Sequence, residues 1–168
     1  MIVEGPKPAE HILQPPRDLP PPGVKGTYAL CFRLEQPLPL EVGRLGRVIL
    51  PAGWLVYVGS ALGPGGLRAR VRRHLAPTKR PHWHIDALTL LHPPDYWLTL
   101  ADGQPHECDW AKALAGHPWA SIPAPGFGSS DCRQSCPAHL IHFPLSMPLA
   151  TIRALLIEPT TAAKRRTK

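Results

Sequence analysis

Trp54-Leu55-Val56-Tyr57-Val58-Gly59 leads through Gly63-Pro64-Gly65-Gly66 into Leu67-Arg68-Ala69-Arg70-Val71-Arg72-Arg73-His74-Leu75, and Pro77 follows. An apolar run of strand length, a glycine-rich loop and an amphipathic segment predict strand, turn and helix in succession. Leu67, Val71 and Leu75 recur every four residues and form the buried stripe of a helix over 67–76. At about 100° per residue, Arg70 and His74 fall beside that stripe, whereas Arg68, Arg72 and Arg73 turn toward solvent.

Upstream, Gly26–Leu34 reads as a second strand with Tyr28, Leu30, Phe32 and Leu34 on one face. Between the two strands, residues 36–46 hold Pro37, Pro39, Gly43 and Gly46 and read as a turn-rich connection, with a short strand at 47–50. Downstream, a helix is expected over 84–91 and a strand over 95–101. A third helix is expected from Pro105 to Ala115, with Gly116 as its C-terminal cap and Glu107 in its first turn. Gly126 to Asp131 reads as a tight loop, 138–143 as a last strand and 147–157 as a terminal helix.

These elements predict an α+β fold, a small and mainly antiparallel central sheet flanked by helices. With 168 residues, one domain is expected, spanning 25–146. Seven prolines mark residues 1–24 as a flexible leader. Residues 147–158 then form a C-terminal helix, and the basic stretch 159–168 a disordered tail. No apolar run reaches the ~20 residues that span a bilayer, and nothing resembles a signal peptide. A soluble, cytoplasmic protein without a membrane partner is expected. Four cysteines do not make a disulfide scaffold.

The formal charge is +7. Its distribution is more telling than its sum. From residue 42 to residue 85 there is no acidic side chain, and eight basic ones stand there. Arg68, Arg72, Arg73, Lys79, Arg80 and His82 are accordingly the expected phosphate-backbone contacts of a DNA or RNA partner. A solvated face balanced by acids brought in on folding is the plainer alternative.

Two strands each carry a Gly/Tyr motif, Gly26-Thr27-Tyr28 and Tyr57-Val58-Gly59. Arg70 and His74 follow the second, and Glu107 comes about thirty residues later. With Gly65-Gly66-Leu67-Arg68-Ala69-Arg70, His82-Trp83-His84-Ile85-Asp86 and Gly126-Phe127-Gly128-Ser129-Ser130-Asp131-Cys132, this order resembles the GIY-YIG nuclease superfamily. The resemblance is nearest to a prokaryotic branch of unknown function and covers roughly Gly26 to Phe143. It implies a metal-dependent endonuclease acting on DNA or structured nucleic acid, with DNA repair as the expected setting. The alternative is a non-catalytic nucleic-acid-binding module that keeps the fold.

The resemblance assigns Tyr28, Tyr57, Arg70 and His74 as catalytic residues and Glu107 as the protein ligand of a single Mg²⁺ or Mn²⁺. One phenol, or a water that it orients, would help deprotonate the attacking water. Such a tyrosine, with an ordinary pKa near 10, needs nearby positive charge to act as a base. A hard cation takes one or two carboxylates and completes its shell with waters and phosphate oxygens, so one Glu suffices. Arg70 offers phosphate a bidentate fork. Gly26, Gly59, Ser60, His84, Asp86 and Asp131 are expected to line the site. For Trp83 and Ile85 a place in the core is favoured.

The chain departs from the compact superfamily pattern in the 29-residue step from Tyr28 to Tyr57, which obliges residues 35–52 to loop out. Cys108, Cys132, Cys136 and His139 have types that suit zinc. They lack a paired C-x-x-C, so zinc is the less favoured reading and buried thiols the plainer one. Cys31, on a strand, reads as a core thiol.

Overall fold

The computed structural model describes residues 2–4 and 19–165, with side chains over 19–157. The central pair of strands is β2 (Gly26–Leu34) and β5 (Gly53–Ala61), joined antiparallel along their whole length, from Gly26↔Ala61 to Leu34↔Gly53. Beyond β2 lie β6 (Tyr96–Leu100) and then β1 (Ile2–Glu4); beyond β5 lies β7 (Leu140–Phe143). The sheet order is β1-β6-β2-β5-β7, and each neighbouring pair is antiparallel. Four α-helices complete an α+β fold of the expected class: α1 (Gly66–Leu75), α2 (His84–Thr89), α3 (Glu107–Ala115) and α4 (Leu149–Arg165).

The pleat sends alternate side chains to opposite faces. Tyr28, Leu30, Phe32 and Leu34 of β2 bury one face against Leu67 and Val71 of α1 and Ile85 and Leu88 of α2. Ala29 and Cys31 join Val56, Val58 and Leu98 on the other face, under Trp110 and Leu114 of α3 and Ile152 and Leu156 of α4. Both faces are therefore covered. This explains why β6 is buried at all five positions instead of alternating with solvent.

The segment expected as a turn-rich connection contains a second, two-stranded sheet. β3 (Leu38–Val42) pairs with β4 (Gly46–Leu50) around a 3-10 turn at Gly43–Leu45. Pro39 sits inside β3, where a two-stranded ribbon leaves one side of each strand unpaired and tolerates a missing N–H.

Three boundaries also differ from expectation. The leader is not wholly outside the fold: Ile2–Glu4 add an edge strand to β6, and Leu19 and Val24 pack on the core. The rest of the leader, residues 1 and 5–18, lies outside the described residues. α3 begins at Glu107, two residues later than the proline start. α4 runs past residue 158 to Arg165 and takes in most of the expected tail, and residues 166–168 lie outside the described residues. Among the described residues, no helix is long and apolar enough to cross a membrane.

Candidate active site

Antiparallel register places Tyr28 opposite Gly59 and Leu30 opposite Tyr57. Tyr28 and Tyr57 are thus diagonal neighbours on one face, with ring centroids 6.3 Å apart. Gly59 leaves the seat opposite Tyr28 empty, and the phenol lies across it. A Cβ at Gly59 would stand 2.5 Å from the Tyr28 hydroxyl. Gly128, at φ +73°, closes on Tyr57 in the same way: a Cβ there would stand 2.7 Å from the Tyr57 ring. Each tyrosine is packed against a glycine that has no room for a side chain. Gly59→Ala is therefore expected to displace Tyr28 and lower stability by about 1–3 kcal/mol, the usual cost of overpacking. Equilibrium urea unfolding checks this, and an unchanged midpoint would contradict the seat.

His74, on α1, lies behind Tyr28. Its Nε2 is hydrogen-bonded to the Tyr28 hydroxyl at 2.9 Å, and both side chains are buried. Burial pushes the His74 pKa down to about 3, with Lys79, Arg70 and Arg73 acting the same way against Asp86, so the ring is neutral near pH 7. Burial also pushes Tyr57 up to about 12, against the pull of the Arg70 charge, and Tyr28 well above its ordinary value. Both phenols hold their protons at neutral pH. A role for either phenol as base therefore depends on further positive charge entering the cleft.

Tyr28 and Tyr57 form one wall of an open cleft of about 390 Å³ at the end of β5. Arg70, Gly59, Ser60, Glu107 and Asp131 line it as well, in agreement with their expected placement. Glu107 is the first residue of α3, and the Ser60 hydroxyl at the end of β5 donates to its carboxylate. That bond orients the carboxylate across the strand–helix gap. Trp83 packs against the core, as expected, but is only half-buried and also lines the cleft. The Arg70 guanidinium stacks over Trp83 at 4.2 Å and that of Arg73 at 4.7 Å. Among the described residues, no carboxylate pairs with Arg70.

Other expected site residues turn out to be structural. Asp86 is fully buried, away from the cleft, and its Oδ2 accepts from the amides of His82 (2.8 Å) and Trp83 (3.0 Å) and from Arg73 Nη2 (2.6 Å). It caps the start of α2 from its third position, half of a capping box. Burial pushes its carboxyl up, but those amides and the Arg73 charge outweigh it and hold the group below the usual carboxylate range. Arg73 is therefore an internal partner rather than a phosphate contact. Lys79 likewise donates to the carbonyls of Arg73 and His74 and closes the end of α1. His84 Nδ1 accepts from the Gly128 amide and ties down the loop that carries the seat of Tyr57. Gly26 serves the sheet, since a Cβ there would stand 1.9 Å from the Leu100 carbonyl. Arg68, Arg72, Arg80 and His82 remain exposed.

Gly128 and Arg133 line the cleft as well, beyond the residues expected there. A glycine on each side of Phe127 was the available signal for Gly128. Cys108, Cys132 and His139 also line the cleft, and the fold brings all four zinc-type residues together.

Residues 27–159 match the family described as "Domain of unknown function DUF123". The chain belongs to that family. The match starts beside Tyr28 and takes in both tyrosines, Arg70, Glu107 and the whole cysteine–histidine cluster, so each wall of the cleft is part of the DUF123 domain. No curated protein and no solved structure matches the chain.

Proposed function

We propose that the DUF123 domain of this chain is a GIY-YIG-type, metal-dependent endonuclease that hydrolyses phosphodiester bonds in DNA or structured nucleic acid. The observation that carries the reading is the meeting of an unpaired guanidinium, an oriented carboxylate and two phenols in one cleft. The donor set fits a hard divalent ion: Glu107 provides one charged oxygen ligand, Asp131 lies in the same cleft, and substrate oxygens and waters complete such a shell. A Mg²⁺ or Mn²⁺ held by Glu107 supplies charge relief at the scissile phosphate and a more acidic water.

The chain's own residues do the rest. Arg70 binds the non-bridging phosphate oxygens, and stacking on Trp83 fixes the direction of its fork. Ser60 fixes Glu107. Tyr57 keeps its proton and orients the attacking water by a hydrogen bond, while the open cleft lets that water's proton leave to solvent and solvent protonate the leaving oxygen. Tyr28, hydrogen-bonded to neutral His74, holds Tyr57 in place from behind. His74 is a positioning residue in this scheme, because it is fully buried behind Tyr28.

The test is cleavage of nicked, branched, abasic and single-stranded substrates by the purified chain, with and without Mg²⁺ or Mn²⁺. Cleavage that requires the ion is expected. Tight binding without cleavage would select the second reading, a binding module on the same fold, which the high pKa of both phenols favours. Absence of both would overturn the proposal.

On either reading, Arg68, Arg72 and Arg80 are the surface contacts to phosphate. Replacing Arg68 and Arg72 with alanine should weaken binding evenly across sequences. It should also reduce the slope of log affinity against log salt by about one per residue. Fluorescence anisotropy over a salt series reads this slope. An unchanged slope would exclude the two residues from the interface.

A further inference from the structure

Beside the cleft, which Cys108, Cys132 and His139 line, stands a second group of chemically coherent side chains. Cys108 comes from the first turn of α3, Cys132 and Cys136 from the loop after it, and His139 from the residue before β7. Their four ligand atoms all lie within 4.8 Å of one another. Cys108 Sγ is 3.5 Å from Cys132 Sγ and 3.8 Å from His139 Nε2. In a tetrahedron with metal–sulfur bonds of about 2.3 Å, the ligand–ligand edge is about 3.8 Å. The four atoms already stand at close to the spacing of a shell around one ion.

The backbone is bent toward the same end. Ser135, between Cys132 and Cys136, has φ 56° and is the one non-glycine residue with positive φ among the described residues. A left-handed serine persists where its surroundings over-determine it. The connection from α3 to β7 is long and has little regular structure, and such a segment needs an internal fastening. Ala124, Phe127 and Ala138 anchor its middle and end in the core, and three of the four ligand-type residues lie in it.

We propose that Cys108, Cys132, Cys136 and His139 form a closed, four-ligand structural zinc site. Three thiolates and an imidazole are a known structural set for this metal, and their softness selects it over Mg²⁺ or Mn²⁺. On binding, the three thiols release their protons to solvent and no electron is transferred. Cys108 follows Glu107 and Cys132 follows Asp131, so the ion fixes the backbone beside two cleft carboxylates and holds the loop against α3. The site does not depend on the nuclease reading, and its test reads metal instead of cleavage.

The full-length chain, purified without chelator, should contain about one zinc ion per chain by elemental mass spectrometry. Cobalt exchanged into it should give the intense visible bands of tetrahedral Co²⁺ together with thiolate charge transfer in the near ultraviolet. Cys132→Ser and His139→Ala should each reduce bound zinc to below about a tenth, while Cys31→Ala, buried on β2 away from the cluster, retains it. If a variant fails to fold, the cobalt spectrum of the wild-type chain still decides. A weak octahedral spectrum would overturn the site. So would a metal-free chain in which thiol titration shows Cys108 and Cys132 joined as a disulfide.

Discussion

Glu107→Gln is expected to lower metal-dependent cleavage by at least about a thousandfold, because metal charge and positioning supply several kcal/mol of transition-state stabilisation. Glutamine keeps the length of the side chain and an oxygen for the Ser60 hydroxyl. It removes the charge that would retain the cation. Affinity for the same substrate without metal should stay level or rise, since a negative charge has left the cleft. Stability should fall little, as a first-turn carboxylate gains only about 0.3–1 kcal/mol from the helix dipole. Single-turnover cleavage and metal-free anisotropy on one preparation separate these effects. Full cleavage by the variant would refute Glu107 as the metal ligand.

The second large effect concerns stability. Asp86→Ala leaves the amides of His82 and Trp83 and the Arg73 guanidinium without their acceptor. Breaking a buried pair of this kind costs about 3 kcal/mol or more, here roughly ten degrees in Tm. The pH dependence has a definite sign. The folded pKa of Asp86 lies below its unfolded value, so the stabilisation is fully present above the unfolded pKa of about 3.9. It is lost as pH falls through the folded value. In thermal melts the gap between the wild type and Asp86→Ala should therefore hold from pH 7 down to about 4 and narrow as the pH falls further. Melts that remain parallel throughout would assign the stabilisation to packing instead of charge.

The central elements were legible because each obeys one period. Tyr28, Leu30, Phe32 and Leu34 alternate, and Leu67 and Val71 recur at helical spacing, so β2, α1 and the face they share follow from pattern alone. The convergence of the two tyrosines follows once β2 and β5 are paired in register. β3 was not legible, because Pro37 and Pro39 argue against a strand unless it is known to lie in a two-stranded ribbon. The loss of Arg73 and Lys79 as surface cations was hidden as well. Arg73 meets Asp86 thirteen residues away across a proline-containing loop, and a helical wheel reports only direction relative to the helix. The cysteine cluster escaped the spacing rule for a similar reason. Its first two members are 24 residues apart and are joined by tertiary structure instead of a local knuckle.

The β3–β4 ribbon shapes the order in which the domain can assemble. Closing β2 onto β5 directly would tie off the 18 residues from 35 to 52 in one step, against the entropy of that loop. The ribbon divides the step. Its tight turn at Gly43–Leu45 brings Val42 to Gly46, pairing proceeds outward to Leu38↔Leu50, and this leaves Leu34 and Gly53 only short connections from contact. Pairing β2 and β5 outward from that end costs the least loop entropy, and on that route Tyr28↔Gly59 and Gly26↔Ala61 would form last. On that route the inserted segment would serve as a local nucleus for the sheet, and the end of the sheet that carries the cleft would close last.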